Sequence, residues 1–426
     1  VEARPASPAT TFRPDISLKV VPMTEFSTVD YPAVRSCPFA EPVEHTRLRE
    51  QQPITKVPLT GGGEAWWVAR HAEGRAILAD ARFSKDRSRP NYPMPGFDEA
   101  MRKQFRMQPP SMNSMDGSAH AAERRAVLGE FTVKRLTALR PRIQKIVDER
   151  IDAMLAAETR PLDLVPTLSL PVPSLVISEL LGVPYSDHEF FESRTMTMVS
   201  GNSSAEGRSN AMKELTGYLG ELVLEKASEP CDDLLSRLIE RRRQEGDLDL
   251  QALLGMAFLL LGAGHETTAN MISLGVIALL EHPAQLAMIK ADPGRTPAAV
   301  EELLRYCTIV DLGGTRVATE DVAIGGVTIP ADDGVIVSLL SANRDPEPFP
   351  NADALDIDRG GRHHLAFGFG PHQCLGQNLA RLELQIVFDT LFRRIPALRL
   401  AVPMNEIPFK SDAPIFYGAY SLPVTW

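Results

Sequence analysis

Cys374 stands in the run Phe367-Gly-Phe-Gly370-Pro-His372-Gln-Cys374-Leu-Gly376, immediately before a segment of helical period that starts at Gln377. A helix N-terminus directs unpaired backbone N–H groups and the positive end of its dipole at whatever precedes it. A thiol placed there is expected to have a lowered pKa and to act as thiolate, the form that attacks carbonyls or binds metals. Gly370 and Gly376 allow close backbone approach, as a flat, bulky cofactor above the sulfur would require. The same residues admit plainer readings: a buried small hydrophobe, a glycine-rich turn, or a Cys–His nucleophile made with His372. Catalytic Cys–His pairs usually come from distant parts of a chain, which disfavours the last.

A second group is Leu260-Leu-Gly262-Ala263-Gly264-His265-Glu266-Thr267-Thr268, inside an apolar helical stretch over 249–281. Glycine costs about 1 kcal/mol against alanine in a helix, and buried polar groups must find partners. Local rule-breaking of this kind marks function. A gap beside Ala263 and Gly264 would admit a small molecule, with the Thr267 hydroxyl and the Glu266 carboxylate beside it. The competing reading is a close helix crossing with Thr267 bonded back to the previous turn. A third group, Glu302-Leu-Leu-Arg305, puts acid and base on one helix face, where Arg359 could join them.

The elements that must carry these residues follow from periodicity. Helices are expected over 71–80, 119–130, 133–157, 210–228, 232–243, 249–281, 297–307 and 377–393. Residues 54–69 alternate around Gly61-Gly62-Gly63 as a hairpin, and a strand-rich patch runs from Val317 to Leu340. Residues 84–115, rich in Pro and Met, read as a long functional loop or a surface excursion. The expectation is a mainly α chain with a minor β part, a loose tail over 1–13 and a single domain over 14–426.

A formal net charge of −10 over 426 residues argues against a nucleic-acid or anionic-membrane binder. Arg241-Arg242-Arg243 reads as a solvated loop. Cys37, Cys231, Cys307 and Cys374 form no Cys-x-x-Cys pair, which fits a reducing cytoplasm. The longest apolar stretch, Leu253–Gly264, is too short to span a bilayer.

The order of the three groups resembles the cytochrome P450 family over nearly the full chain. His120-Ala-Ala-Glu-Arg124, Arg316-Val-Ala-Thr-Glu-Asp, Ala342-Asn-Arg-Asp-Pro and the closing Leu-Pro-Val-Thr-Trp426 agree with it, in the style of soluble actinobacterial members. Met115-Asp-Gly-Ser-Ala-His120 departs from it, since relatives commonly have an acid followed by two prolines.

The resemblance implies haem b with Cys374 as the axial ligand of iron and Phe367, Gly370 and Gly376 against the cofactor. His120, Arg124, Arg316 and His372 would meet its propionates. Ala263 would leave room for dioxygen, and Thr267 with Glu266 would supply protons. Glu302, Arg305 and Arg359 would be structural. The substrate wall would comprise Met94, Phe97, Val199, Leu259, Ala263, Val310, Leu312 and Phe416, with Asp311 facing a substrate cation or a backbone amide. The implied activity is a cytoplasmic, monomeric monooxygenase acting on a lipophilic substrate such as a macrolide, polyketide, terpenoid or steroid. Electrons would come from a ferredoxin and its reductase through Arg125, Arg362 and Arg381, with no nucleic-acid or membrane partner. Oxidative coupling or ring formation on the same fold, a haem-binding sensor, and a cysteine-nucleophile hydrolase are the alternatives.

Overall fold

The computed structural model describes residues 31–426, apart from 98, 107–110, 200–202, 362 and 412–415. The tail read over 1–13 lies outside the described residues.

The helix Leu250–Glu281 forms the axis of the molecule. Asp249 starts it by accepting from the backbone N–H groups of Gln251 and Ala252, which satisfies two of the donors a helix start leaves open. From Thr268 to Leu279 every residue is buried, so this half has no amphipathic stripe, as a helix surrounded by others requires. It packs against Pro171–Leu181, Ala205–Ser228, Thr296–Cys307 and Gln377–Arg394. At 32 residues, with mean hydropathy 1.2 over 18 of them, it is long and apolar enough to cross a membrane by length and composition. That corrects the expectation that no stretch reaches such a length. The apolar side chains are nevertheless spent on neighbouring helices.

The periodic segments form helices within a few residues of the predicted bounds, for example His71–Ala79, Val133–Ala156 and Thr296–Cys307. Helices Val43–Gln51, Glu99–Arg106, Pro171–Leu181, His188–Val199 and Pro283–Ala291 escaped the sequence reading. Pro171–Leu181 is the instructive miss. Its two early prolines fall where a helix tolerates them, and nearly all-round burial removes the alternation on which periodicity depends. The Arg241–Arg243 run is helical rather than a solvated loop. Arg242 pairs with Glu123 at 2.6 Å and Arg241 donates to the Ala126 carbonyl, tying Leu234–Glu245 to the helix Gly117–Leu128.

The main sheet has five strands in the order Ile54–Pro58, Glu64–Val68, Gly334–Val337, Gly314–Ala318 and Phe83–Ser84. The first two form the predicted hairpin, closed by Gly61, Gly62 and Gly63 at positive φ. The patch expected over Val317–Leu340 starts earlier, at Gly314, and ends at Val337. There Ser338 caps a short helix, Leu339–Ala342, by accepting from the Ser341 N–H. Strand Gly314–Ala318 pairs with Gly334–Val337 so that Arg316 lies opposite Val335, which sets where that guanidinium projects.

Candidate functional site

The cysteine loop is built by backbone bonds and one close contact. The Cys374 N–H donates to the Phe367 carbonyl at 2.9 Å, and a single 3-10 turn, Gly370–His372, carries the chain between them. Gly370 has φ +74°, and a Cβ there would lie 2.4 Å from the Leu78 carbonyl oxygen. On that side Gly370 is therefore pressed against the helix His71–Ala79. No atom lies within 4 Å of the Cβ position of Gly376, so open space borders that residue. Arg124 braces the loop by donating to the Gln373 carbonyl at 2.7 Å. Arg381 lies 4.6 Å from the Phe367 ring centre and is tied to Glu301 at 2.5 Å.

The Cys374 side chain is open to solvent, yet burial pushes its thiol above the ordinary value. The residue is thus accessible while protein crowds it closely, and open space borders Gly376 beside it. The backbone N–H groups of Gly376 and Gln377, with Arg124 and Arg381, pull the other way and are outweighed. The expectation of a thiolate from the helix start alone is thereby corrected. A further positive charge must meet the sulfur before the anion dominates.

On the central helix, Gly262 and Ala263 are exposed in the midst of buried residues. A Cβ on Gly262 would meet nothing within 4 Å, whereas one on Gly264 would touch Ile177 at 3.5 Å. The gap thus lies at Gly262 and Ala263, and Gly264 serves the crossing with Pro171–Leu181. The Thr267 Oγ1 donates to the Ala263 carbonyl at 2.7 Å. Glu266 pairs with Lys410 at 3.0 Å, a partner that no local signal in the sequence announced.

Cations gather beside the loop. The rings of His120 and His372 are 4.1 Å apart, and burial followed by His372 holds His120 at about 4. Arg316 is buried, and its guanidinium donates to the Thr315 carbonyl at 2.8 Å. Neither Arg124 nor Arg316 has a carboxylate ion-pair partner among the described residues. Lys85 is buried nearby, donates to the Gly313 and Thr315 carbonyls at 3.1 and 3.3 Å, and is pushed well down by burial and by Arg316. Asp116 organises the group. It accepts from Ser84 and the Lys85 N–H and stands 3.7 Å from His372. Lys85 and Asp116 were missed, although Asp116 sits in the stretch that departs from the family pattern.

Glu302 and Arg305 form a fully buried bidentate pair at 2.7 and 2.8 Å, joined by Arg359 at 3.1 Å. Arg305 also donates to the Asn343 and Ala352 carbonyls, so every charge there has partners.

The residues read as a substrate wall fall into several places. Val310 and Phe416 pair through a β-bridge. Leu259 borders the main core, while Met94 and Phe97 cluster with Tyr92 and Val317. Leu312 packs against the cluster that contains Tyr31, Trp67 and Ile336. The Val199 side chain and Arg362 lie outside the described residues. Asp311 accepts from the Tyr31 hydroxyl at 2.6 Å, the Ser338 hydroxyl at 3.0 Å and the Leu340 N–H at 2.9 Å, which excludes a substrate-cation role.

Residues 295–405 match the family model described as Cytochrome P450. Pentalenic acid synthase of Streptomyces avermitilis is 48% identical over 93% of this chain and 97% of its own length. The chain belongs to the cytochrome P450 family. The crystal structure of P450 MoxA from Nonomuraea recticatena superimposes with a TM-score of 0.91 at 64% identity, covering 94% of this P450 and 99% of MoxA. The mycinamicin VIII C21 methyl hydroxylase MycCI of Micromonospora griseorubida, solved with mycinamicin VIII bound, superimposes at 0.85 with 40% identity over 93% of this chain and all of its own.

P450 enzymes carry haem, and the site suits one. The residue is accessible, Gly262 and Gly376 border open space, and two guanidiniums, the buried Arg316 and the half-buried Arg124, lack carboxylate partners among the described residues, as two propionates would need. No group of three or more His, Cys, Asp or Glu among the described residues could hold a bare metal ion. A porphyrin supplies its own four nitrogens, so one cysteine suffices.

Proposed function

We propose that residues 14–426 of this P450 form one catalytic unit, a haem-thiolate monooxygenase that inserts one oxygen atom of O2 into a lipophilic metabolite. Electrons come from a ferredoxin and its reductase. When bound, the thiolate-ligated haem supplies the activation of dioxygen. The reading is carried by one observation above others: an accessible cysteine stands immediately before the helix Gln377–Arg394, with open space beside Gly376 and Arg124 bracing its loop.

In this reading the Gly376 and Gln377 N–H groups and Arg124 stabilise the sulfur anion. His120, Arg124, Arg316 and His372 hold the propionates, and Asp116 keeps His372 in place. Thr267 and Glu266 move protons from water to the Ala263 side of the helix. Leu259, Val310 and Phe416 present apolar surface that orients substrate and excludes water. Lipophilic substrates are favoured by that lining and by the names of the relatives, a pentalenic acid synthase and a mycinamicin VIII hydroxylase.

The test is turnover under isotopically labelled O2 with a ferredoxin, its reductase and a panel of terpenoid and macrolide compounds. Products gaining a single labelled oxygen atom support the reading. Products formed without that label, by dehydrogenation or coupling, overturn it.

A further inference from the structure

A groove of about 330 Å³ opens between the hairpin edge of the main sheet and the helix Glu99–Arg106. It shares no lining residue with the central helix, the cysteine loop or the cations His120, Arg124, Arg316 and His372. The hairpin supplies one wall through Lys56, Glu64 and Trp66, and the other carries Pro93, Arg102 and Arg106. The walls touch at the hairpin tip. A Cβ on Gly61 would stand 2.6 Å from the Phe97 carbonyl oxygen, and the Gly96 N–H donates to the Thr60 carbonyl at 2.7 Å. Beyond that contact, Cβ atoms on Gly62 and Gly63 would meet nothing within 4 Å, so open space begins there.

The charges in the groove are unequally paired. Its two acids are both spent: Glu64 and Asp333 meet Lys56 at 2.9 and 3.2 Å, and Asp333 also accepts from the Trp66 indole N–H at 2.8 Å. The remaining cations, Arg102 and Arg106, have no carboxylate partner among the described residues. Arg102 donates to the Gly62 carbonyl at 2.7 Å and Arg106 to the Pro90 carbonyl, one bond from each five-donor fork. The Nε of each is buried without a partner. Four residues apart, the two lie on one face of the helix, where like charges repel. Adjacent guanidiniums with donors to spare match an oxyanion, which can accept from both forks at once.

We propose that this groove is a binding site for a small amphipathic organic anion: a carboxylate, sulfonate or phosphate head bridges Arg102 and Arg106, and a compact apolar body rests against Leu59, Trp66 and Pro93. The anion offsets the repulsion between the guanidiniums and ties the helix to the hairpin. The volume lies at the low end of the range for small-molecule sites, which suits a small ring system and no macromolecule. The inference stands apart from the oxygen chemistry proposed above, since none of these residues holds haem or moves a proton in it.

Equilibrium dialysis of naphthalenesulfonate against the ferric holoenzyme tests this, with an iron-coordinating azole filling the haem site and its absorption spectrum recorded throughout. Wild type is expected to bind the sulfonate while the azole spectrum holds. Arg102→Gln combined with Arg106→Gln is expected to weaken binding about tenfold or more, through the loss of charge-assisted bonds. Lys103→Gln, which removes an exposed cation of the same helix, should change it less than about twofold. Naphthalenemethanol has the body without the charge, and inorganic phosphate the charge without the body. Each should compete about tenfold more weakly than unlabelled sulfonate. No binding to wild type, loss of the azole spectrum in step with sulfonate uptake, or a double variant that binds like wild type overturns the proposal. So does an equal loss in Lys103→Gln, the mark of a general positive field, or a neutral or inorganic competitor as effective as the sulfonate. If the double variant does not retain haem, Arg106→Gln alone is judged by the same criteria.

Discussion

The Thr267 hydroxyl donates to the Ala263 carbonyl one turn earlier, at 2.7 Å, at the point where the central helix turns exposed residues to the cleft. A back-bond of this kind bends a helix locally, and it leaves the oxygen lone pairs to accept from water. Thr267→Ala is expected to keep haem content and raise the share of electrons lost as hydrogen peroxide. Thr267→Ser restores coupling. Product formed per NADPH, measured for the three proteins, checks this, and equal coupling in all contradicts the relay.

Asp116 joins the Phe83–Ser84 strand, Lys85 and His372. Burial pushes its carboxyl up, but the nearby His372 and bonds from Ser84 and the Lys85 N–H overcome that and hold it well below the usual carboxylate range. Asp116→Ala removes an acceptor from buried donors, a loss of about 1–3 kcal/mol. Haem should therefore transfer faster to an apoglobin acceptor than from wild type, with Asp116→Asn intermediate. Identical transfer rates would show that His372 is held by other means.

The sequence carried the architecture further than the site. The hairpin at Gly61–Gly63 and the pair Glu302–Arg305 were legible because a turn and an i, i+3 face are local properties. Lys410 and Lys85 were not, since each meets its partners across more than a hundred residues of chain. Gly370 was legible as a constrained glycine, but its contact with Leu78, far away in the chain, was not, for the same reason. Cys374 shows the limit in energetic terms. A helix start predicts the sign of its own effect, but only the packed structure shows that desolvation is larger.

Glu383 is fully buried on the helix Gln377–Arg394, and burial alone pushes its carboxyl up to about 8, against 4.5 when unfolded. Between those values the folded state binds more protons than the unfolded state, so stability is lost as pH rises through the window. The slope is on the order of 1 kcal/mol per pH unit. Glu383→Gln should flatten it and stabilise the protein most near pH 8, as read by denaturant midpoints across the range. A wild-type midpoint that rises with pH there would contradict the assignment.

Of the arginines proposed to meet a ferredoxin, Arg125 is exposed, while Arg381 is committed to Glu301. Charge reversal at Arg125 therefore tests docking with little damage to the fold. Arg125→Glu is expected to slow reduction by an acidic ferredoxin, most strongly at low salt. Stopped-flow rates at two ionic strengths measure it, and a salt-independent rate equal to wild type removes this patch from the interface.

Cys374 as the iron ligand is tested most directly by the absorption spectrum of the reduced, carbon monoxide-bound protein. Wild type is predicted to show the strongly red-shifted Soret band of thiolate ligation, and Cys374→Ser to lack it. A wild-type band at the position given by histidine ligation, or a red-shifted band surviving in Cys374→Ser, contradicts the account.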